Sequence, residues 1–229
     1  MNFFWSYKPT SSTPVITEIN YGALYNWYAA TDVREIAAVG WHVPTISEIQ
    51  TLANYLGASG DYSNNIVGGL LKETGEIYWN SPNEGALNTT MFNGRGAGFR
   101  SGVYENLKYS CRIWTLSLYF GNSVYFGLAN FNQNLKCLSS LWAFKYYGQS
   151  IRPIKDSTTL THGQTGTYTG NDGKIYRTIC IGTQEWLADN LAETKYRNGD
   201  LIPIVTDNTA WTSLTTGGMC YYNNDINNA

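Results

Sequence analysis

Two histidines, His42 and His162, and four cysteines, Cys111, Cys137, Cys180 and Cys220, are the side chains of this sequence best suited to proton transfer, nucleophilic attack or soft-metal binding. A histidine base needs a nucleophile and an orienting partner within hydrogen-bond reach. Nothing around His42, which sits in GWHVPT, nominates either, so it reads as a core or turn histidine. The cysteines lack CxxC spacing and read as small buried or surface hydrophobes in place of a disulfide or zinc framework. Residues 94–100, GRGAGFR, superficially resemble a phosphate-cradling loop but lack the preceding strand and following helix it needs. They are expected to form a tight glycine-rich turn in which Arg100 is a structural hydrogen-bond donor. Asp172, Asp200, Asp207 and Asp225 lie beside Asn and Gly without EF-hand spacing, which suits turns better than a metal cage. The prediction is a protein with no catalytic residues, hence not an enzyme.

The residue types in excess favour contact over reaction. Residues 118–134, LYFGNSVYFGLANFNQN, mix large aromatics with Gly, Ser and Asn and contain no charge. The chain holds 18 Tyr, 8 Trp and 23 Gly, a mixture that gives large contact area at low rotamer cost with small polar residues adapting around it. Charged residues make up 14% of the chain and the net charge is −2, so no nucleic-acid footprint is present. No run approaches the roughly 18 to 20 apolar residues that span a bilayer, and membrane insertion is not expected. The start, MNFFWSYKP, lacks a basic leader and an apolar h-region, which predicts no cleaved signal peptide.

The elements that must hold these residues read as an α+β domain. Residues 1–20, with Lys8-Pro9 and Thr10 to Pro14, suggest an extended attachment arm. Thr45 followed by Glu48 is a capping box, and Ile46, Ile49, Leu52, Ala53 and Leu56 form one helical stripe that Gly57 can end. A second helix is predicted over 65–74 with Gly75 as its cap, although Gly68 and Gly69 each cost about 1 kcal/mol relative to Ala. Short aromatic runs from Ile77 to Ile154 suggest strands and long loops. Residues 157–166 read as a linker, Asn171-Asp172-Gly173 as a hairpin turn, and TQEWLADNLA as a short helical turn or bulge.

Several of these stretches, YRTICIGTQEWLADNLAETKYRNGD, AWTSLTTGGMCYYNND, YGALYNWYA, GWHVPT, LLKETG and SIRPIKD, resemble the Fibrobacter succinogenes major paralogous domain. That family is a branch of the C-type lectin fold related to formylglycine-generating sulfatase modifiers. The resemblance covers nearly everything after residue 20 and implies a lectin-type scaffold of two helices around small antiparallel sheets with long loops. In the family the part similar to residues 167–229 precedes the part similar to 21–156. The chain therefore looks circularly permuted, 21–229 being one domain, with Ala229 expected near Asn20. The modifiers' cysteine pair maps onto none of the four cysteines by motif. Lectin-type domains can take calcium on aspartate oxygens, but turn chemistry remains the reading for the aspartates here, and no cofactor is expected.

The resemblance further implies a variable protein of a diversity-generating retroelement, in which AAY codons become NNY. NNY encodes Phe, Tyr, Ser, Cys, Leu, Gly, Asn and Asp among others, but never Lys, Glu, Gln, Met or Trp. Most aromatics between 104 and 149 fit that set, whereas Trp114, Trp142 and Lys145 would be constant framework. The expected ligand-binding surface is Tyr104, Leu107, Tyr109, Ser110, Cys111, Ile113, Leu118, Tyr119, Phe120, Asn122, Ser123, Tyr125, Leu138, Ser140, Leu141, Phe144, Tyr146 and Tyr147. Its expected partner is a host cell-surface protein or glycan. Synthesis is expected in a bacterial cytoplasm and display on a virion, as a phage receptor-binding or adhesion module. The second reading makes the same surface a subunit interface of a structural virion protein or homo-oligomer, with 1–20 as the assembly arm.

Overall fold

The computed structural model describes residues 20–58, 66–119, 121–129 and 142–229. In chain order these form strand β1 (Leu24–Tyr25), helix α1 (Trp27–Ala30), strand β2 (Trp41–His42), helices α2 (Ile46–Tyr55) and α3 (Val67–Leu71), and strands β3 (Ala97–Arg100), β4 (Tyr104–Leu107), β5 (Ser110–Tyr119) and β6 (Asn122–Ala129). There follow strands β7 (Trp142–Ala143), β8 (Ile154–Lys155), β9 (Thr165–Thr169), β10 (Ile175–Ile181) and β11 (Gln184–Leu187), helix α4 (Asn208–Thr212) and strand β12 (Met219–Cys220). The predicted arm lies outside the described residues apart from Asn20.

Helix α2 forms as its cap predicts. The Thr45 hydroxyl accepts from the Glu48 N–H, and the Glu48 carboxylate accepts from the Thr45 N–H at 2.7 Å. Ile49, Leu52 and Ala53 are buried, with Ile46 and Leu56 packed beside them. Helix α3 is shorter than predicted, five residues closed at Lys72. Gly68 and Gly69 weaken it from within, and Lys72 leaves in an extended conformation to bridge Gly94. In place of the two helices expected, the described residues contain four, of which only α2 exceeds five residues.

The strands form two five-stranded sheets, one ordered β2-β8-β11-β10-β9 and antiparallel, the other β4-β3-β5-β6-β7 with β3 and β5 parallel, while β1 and β12 are a separate pair. Together with the few helices they make a mixed α/β fold of curled, mainly antiparallel sheets. The hairpin at Asn171-Asp172-Gly173 joins β9 and β10, and Gly173 takes φ +91 as such a turn requires. TQEWLADNLA, expected as a helical turn or bulge, instead contributes β11. Glu185 and Trp186 are both buried there, so the strand is covered on both faces and shows none of the alternation that reveals strands in a sequence. Residues 157–166 are likewise no free linker. The Thr158 hydroxyl donates to Glu185 at 2.6 Å, the Gly163 N–H to the Cys180 carbonyl at 2.8 Å, and β9 starts at Thr165.

Strands from early and late parts of the chain share these sheets. β9, β10 and β11 complete the sheet begun by β2 and β8, and β12 pairs with β1. The Asn20 N–H donates to the Ala229 carbonyl at 2.9 Å, and the Tyr21 N–H to that of Asn228 at 3.0 Å. One apolar core holds Trp41, Tyr168 and Tyr176 packed edge to face, and a second holds Trp79, Phe92, Phe126 and Trp186.

Buried arginines tie the segments together. Arg152 is fully buried and donates to Asn190 Oδ1 and the Asn93 carbonyl at 2.7 Å each, and to the Phe92 carbonyl. Arg100 is the structural donor predicted for GRGAGFR, reaching the Val205 and Thr206 carbonyls and Asn208 Oδ1.

Candidate ligand-binding surface

Register on the β5–β6 pair decides which side chains can meet a ligand. Cys111 opposite Leu128 and Ile113 opposite Phe126 point into the core. Trp114 lies opposite Tyr125, the two rings meeting edge-on at 6.3 Å, and the Trp114 indole donates to the Tyr25 carbonyl at 2.7 Å. Arg112 lies opposite Gly127, with no side chain across the strand from it. Past Trp114 the pairing slips and resumes at Leu118, leaving Leu116 and Leu118 exposed at the hairpin end.

After β7 the chain presents a cluster of rings. Phe144 and Tyr146 are parallel, with centroids 5.6 Å apart and planes 7° apart. Tyr147 meets them edge-on at 5.8 and 5.2 Å and lies flat on Phe99 at 6.1 Å. Phe99 in turn carries the Arg112 guanidinium 3.4 Å from its centroid, and the same guanidinium is 5.1 Å from Tyr125. Offset and edge-on packing satisfy the ring quadrupoles and hold the cluster stiff. Burial, with Tyr146 beside it, raises the Tyr147 phenol above its usual range, so it stays protonated. Lys145 caps the Trp27 ring at 4.7 Å.

The structure brings Phe144, Tyr146 and Tyr147 together but scatters the other expected site residues. Tyr109 is exposed at the β4–β5 turn with no ring contact to the cluster. Tyr104 is half-buried on β4, its ring tilted against Tyr222 and its hydroxyl donating to Asn224 Oδ1 at 2.5 Å. Leu107, Ser110 and Asn122 are half-buried, and Leu118 is exposed. Tyr119 ends β5, while Phe120, Leu138, Ser140 and Leu141 lie outside the described residues.

Four expected surface residues are interior. Cys111 and Ile113 occupy the inward phase of β5. The buried Ser123 hydroxyl donates to the Ala143 carbonyl at 2.7 Å, and Tyr125 is 8% exposed under Arg112 and against Trp114. Conversely, sequence reasoning passed over Phe99, assigned to a turn, and Arg112. The signal for Arg112 was a lone charge in the otherwise uncharged SCRIWTLSLYF.

The family model described as the Fibrobacter succinogenes major domain matches residues 8–171. The chain belongs to that family. No curated protein and no solved structure matches it. In this Fibrobacter succinogenes major domain, residues 172–229 lie beyond the matched stretch yet supply β10 and β11 at the heart of one sheet.

Elsewhere in the domain His42 is hydrogen-bonded at both ring nitrogens and the described cysteines are buried. A cleft of about 230 Å³ includes Thr31, Asp32, Trp41, His42 and Leu116 in its lining. His42 gives Nδ1 to Asp156 at 2.6 Å and Nε2 to Glu48 at 2.8 Å, leaving no ring nitrogen free for base or metal chemistry. Burial pulls its pKa down, but those hydrogen bonds push it up by more. Cys111, Cys180 and Cys220 are buried free thiols, and burial raises all three, Cys111 to about 11, which suppresses the thiolate. Cys137 lies outside the described residues. Asp207 caps α4, Asp225 caps the turn 226–228, and Asp200 pairs with Arg34. Among the described residues no group of three or more His, Cys, Asp or Glu side chains is arranged to hold a metal ion, and no helix is long and apolar enough to cross a membrane.

Proposed function

We propose that this protein is a ligand-binding variable module of a diversity-generating retroelement, displayed on a phage particle, and that it performs no chemistry. The observation that carries the reading is the packed ring cluster of exposed Phe144 and half-buried Tyr146 and Tyr147, all NNY-encodable, at the surface of a framework whose tryptophan, Trp114, is not. Exposed aromatic patches are uncommon on soluble domains and mark contact sites. Affinity comes from ring burial at low rotamer cost, and repeated copies on a particle raise weak contacts to useful avidity. The scaffold is proposed to be a circularly permuted C-type lectin fold. Family membership and the bonding of Asn20 and Tyr21 to Ala229 and Asn228 support this. The partner is a host cell-surface protein or glycan.

Sequencing sister copies of the gene tests the proposal. Substitutions are expected at NNY-compatible codons for exposed and half-buried positions such as Tyr104, Tyr109, Leu118, Phe144, Tyr146 and Tyr147, with Trp114 constant. Substitutions spread evenly along the gene would sink it. A stable oligomer in solution that buries the ring cluster would instead make this face a subunit interface.

A further inference from the structure

The chain has seven arginines, and six of them end on protein oxygens. Arg34, Arg95, Arg177 and Arg197 each pair with a carboxylate, while Arg100 and Arg152 reach backbone carbonyls and asparagine oxygens. Among the described residues Arg112 is the exception. It makes no ion pair, and its one hydrogen bond is a long one from Nε to Ser110 Oγ at 3.4 Å. Its terminal nitrogens are not among the buried unpartnered atoms, so they meet solvent. Glu105 is within electrostatic reach but accepts its hydrogen bond from Ser101.

The group is nevertheless rigidly placed. Its plane rests on Phe99 and Tyr125, and Gly127 across the strand places no side chain over it. Phe99 connects it through Tyr147 to Phe144 and Tyr146, so an open guanidinium fork borders an aromatic platform. A guanidinium held by ring faces loses little freedom on binding, matches a carboxylate bidentately, and forms stronger pairs where it is already partly dehydrated.

We propose that Arg112 anchors the binding face by taking the carboxylate of an aspartate or glutamate side chain on a protein partner, whose neighbouring apolar residue seats against Tyr147 and Phe144. This rests on the reading that the face binds a partner at all. A protein acid is favoured over an acidic glycan because rings surround the fork. Among the described residues its hydrogen-bonding and electrostatic partners are Ser110, Glu105 and the phenols of Tyr125 and Tyr147, where a sugar would need converging amides and carboxylates.

The test is selection from a random-sequence peptide library on wild-type protein, Arg112→Gln and Phe144→Ser. Wild type should enrich peptides with Asp or Glu beside an aromatic or aliphatic residue. Binding of synthetic hits should weaken roughly tenfold or more in Arg112→Gln, and equally when the acid becomes its amide. Arg112→Lys should restore part of the binding. Glu105→Gln, which removes a competing carboxylate and leaves Arg112 intact, should tighten it. If Arg112→Gln fails to fold, the amide swap and Glu105→Gln decide on their own. Enrichment of aromatic peptides without acidic preference overturns the role of Arg112 but leaves the binding face standing. No Phe144-dependent enrichment overturns both. Arg112-dependent binding of sulfated or sialylated glycans without peptide selection overturns the protein partner.

Discussion

Arg152 and Arg112 both lie against phenylalanine rings, Arg152 at 4.4 Å over Phe92 and Arg112 at 3.4 Å over Phe99. Around Arg152 each nitrogen of the fork meets an oxygen, and the residue is fully buried. Around Arg112 the rings are present and the oxygens are not. A buried charge is tolerated only when its hydrogen bonds are complete, so the first arrangement is a structural tie. A stacked charge with an open fork keeps its capacity for something else. The comparison separates a framework that cannot vary from a face that can.

Substitutions should break along that line. Arg152→Leu strands the Phe92 and Asn93 carbonyls and Asn190, and should cost about 3 kcal/mol or more by denaturant unfolding. A loss no larger than that of a surface change would dissolve the distinction.

The framework should also show its own pH dependence through Glu193. Burial, with Asp172 hydrogen-bonded beside it, raises the Glu193 carboxyl from 4.5 to about 9. In the unfolded chain it ionises near 4.5, so between these values the folded state holds the extra proton and stability falls as pH rises. Asp172 has the opposite sign. It is lowered from 3.8 because the hydrogen bonds from Glu193 and Lys174 outweigh its burial, and its contribution is lost only in stronger acid. Glu193→Gln removes the titrating group and should flatten that slope, although its amide nitrogen displaces one of the two oxygens that accept from the Asn171 and Asp172 N–H groups and lowers stability near pH 4. Melting curves across that range would check it.

A small gain is expected at Gln149. Its side chain is fully buried with neither amide atom hydrogen-bonded. Gln149→Met keeps the volume, removes the unpaired polar atoms, and should stabilise by about 1 kcal/mol. On the face itself Phe144→Ser, which removes two ring contacts, should cost no more than about 1 kcal/mol of stability while abolishing partner binding. A large unfolding penalty there would make Phe144 framework.

Much of the framework was legible. The Thr45–Glu48 box, the Asn171–Gly173 turn and the Arg100 donor rest on interactions a few residues long or on one residue's capacity, and each stands where the sequence put it. Strand β11 was hidden because cover on both faces erases the period-two pattern. Tyr125 and Tyr147 look alike in sequence, and only the β5–β6 register and the Trp114 side chain put the first inside.

By itself the sequence determined the inventory of rings, the short-range caps and turns, and the family, because these depend on residue identity and near neighbours. The tertiary structure alone decided which rings face out and that, among the described residues, no carboxylate closes on the Arg112 fork. Each of those depends on pairings between distant segments, and one step of strand register exchanges the inside for the outside.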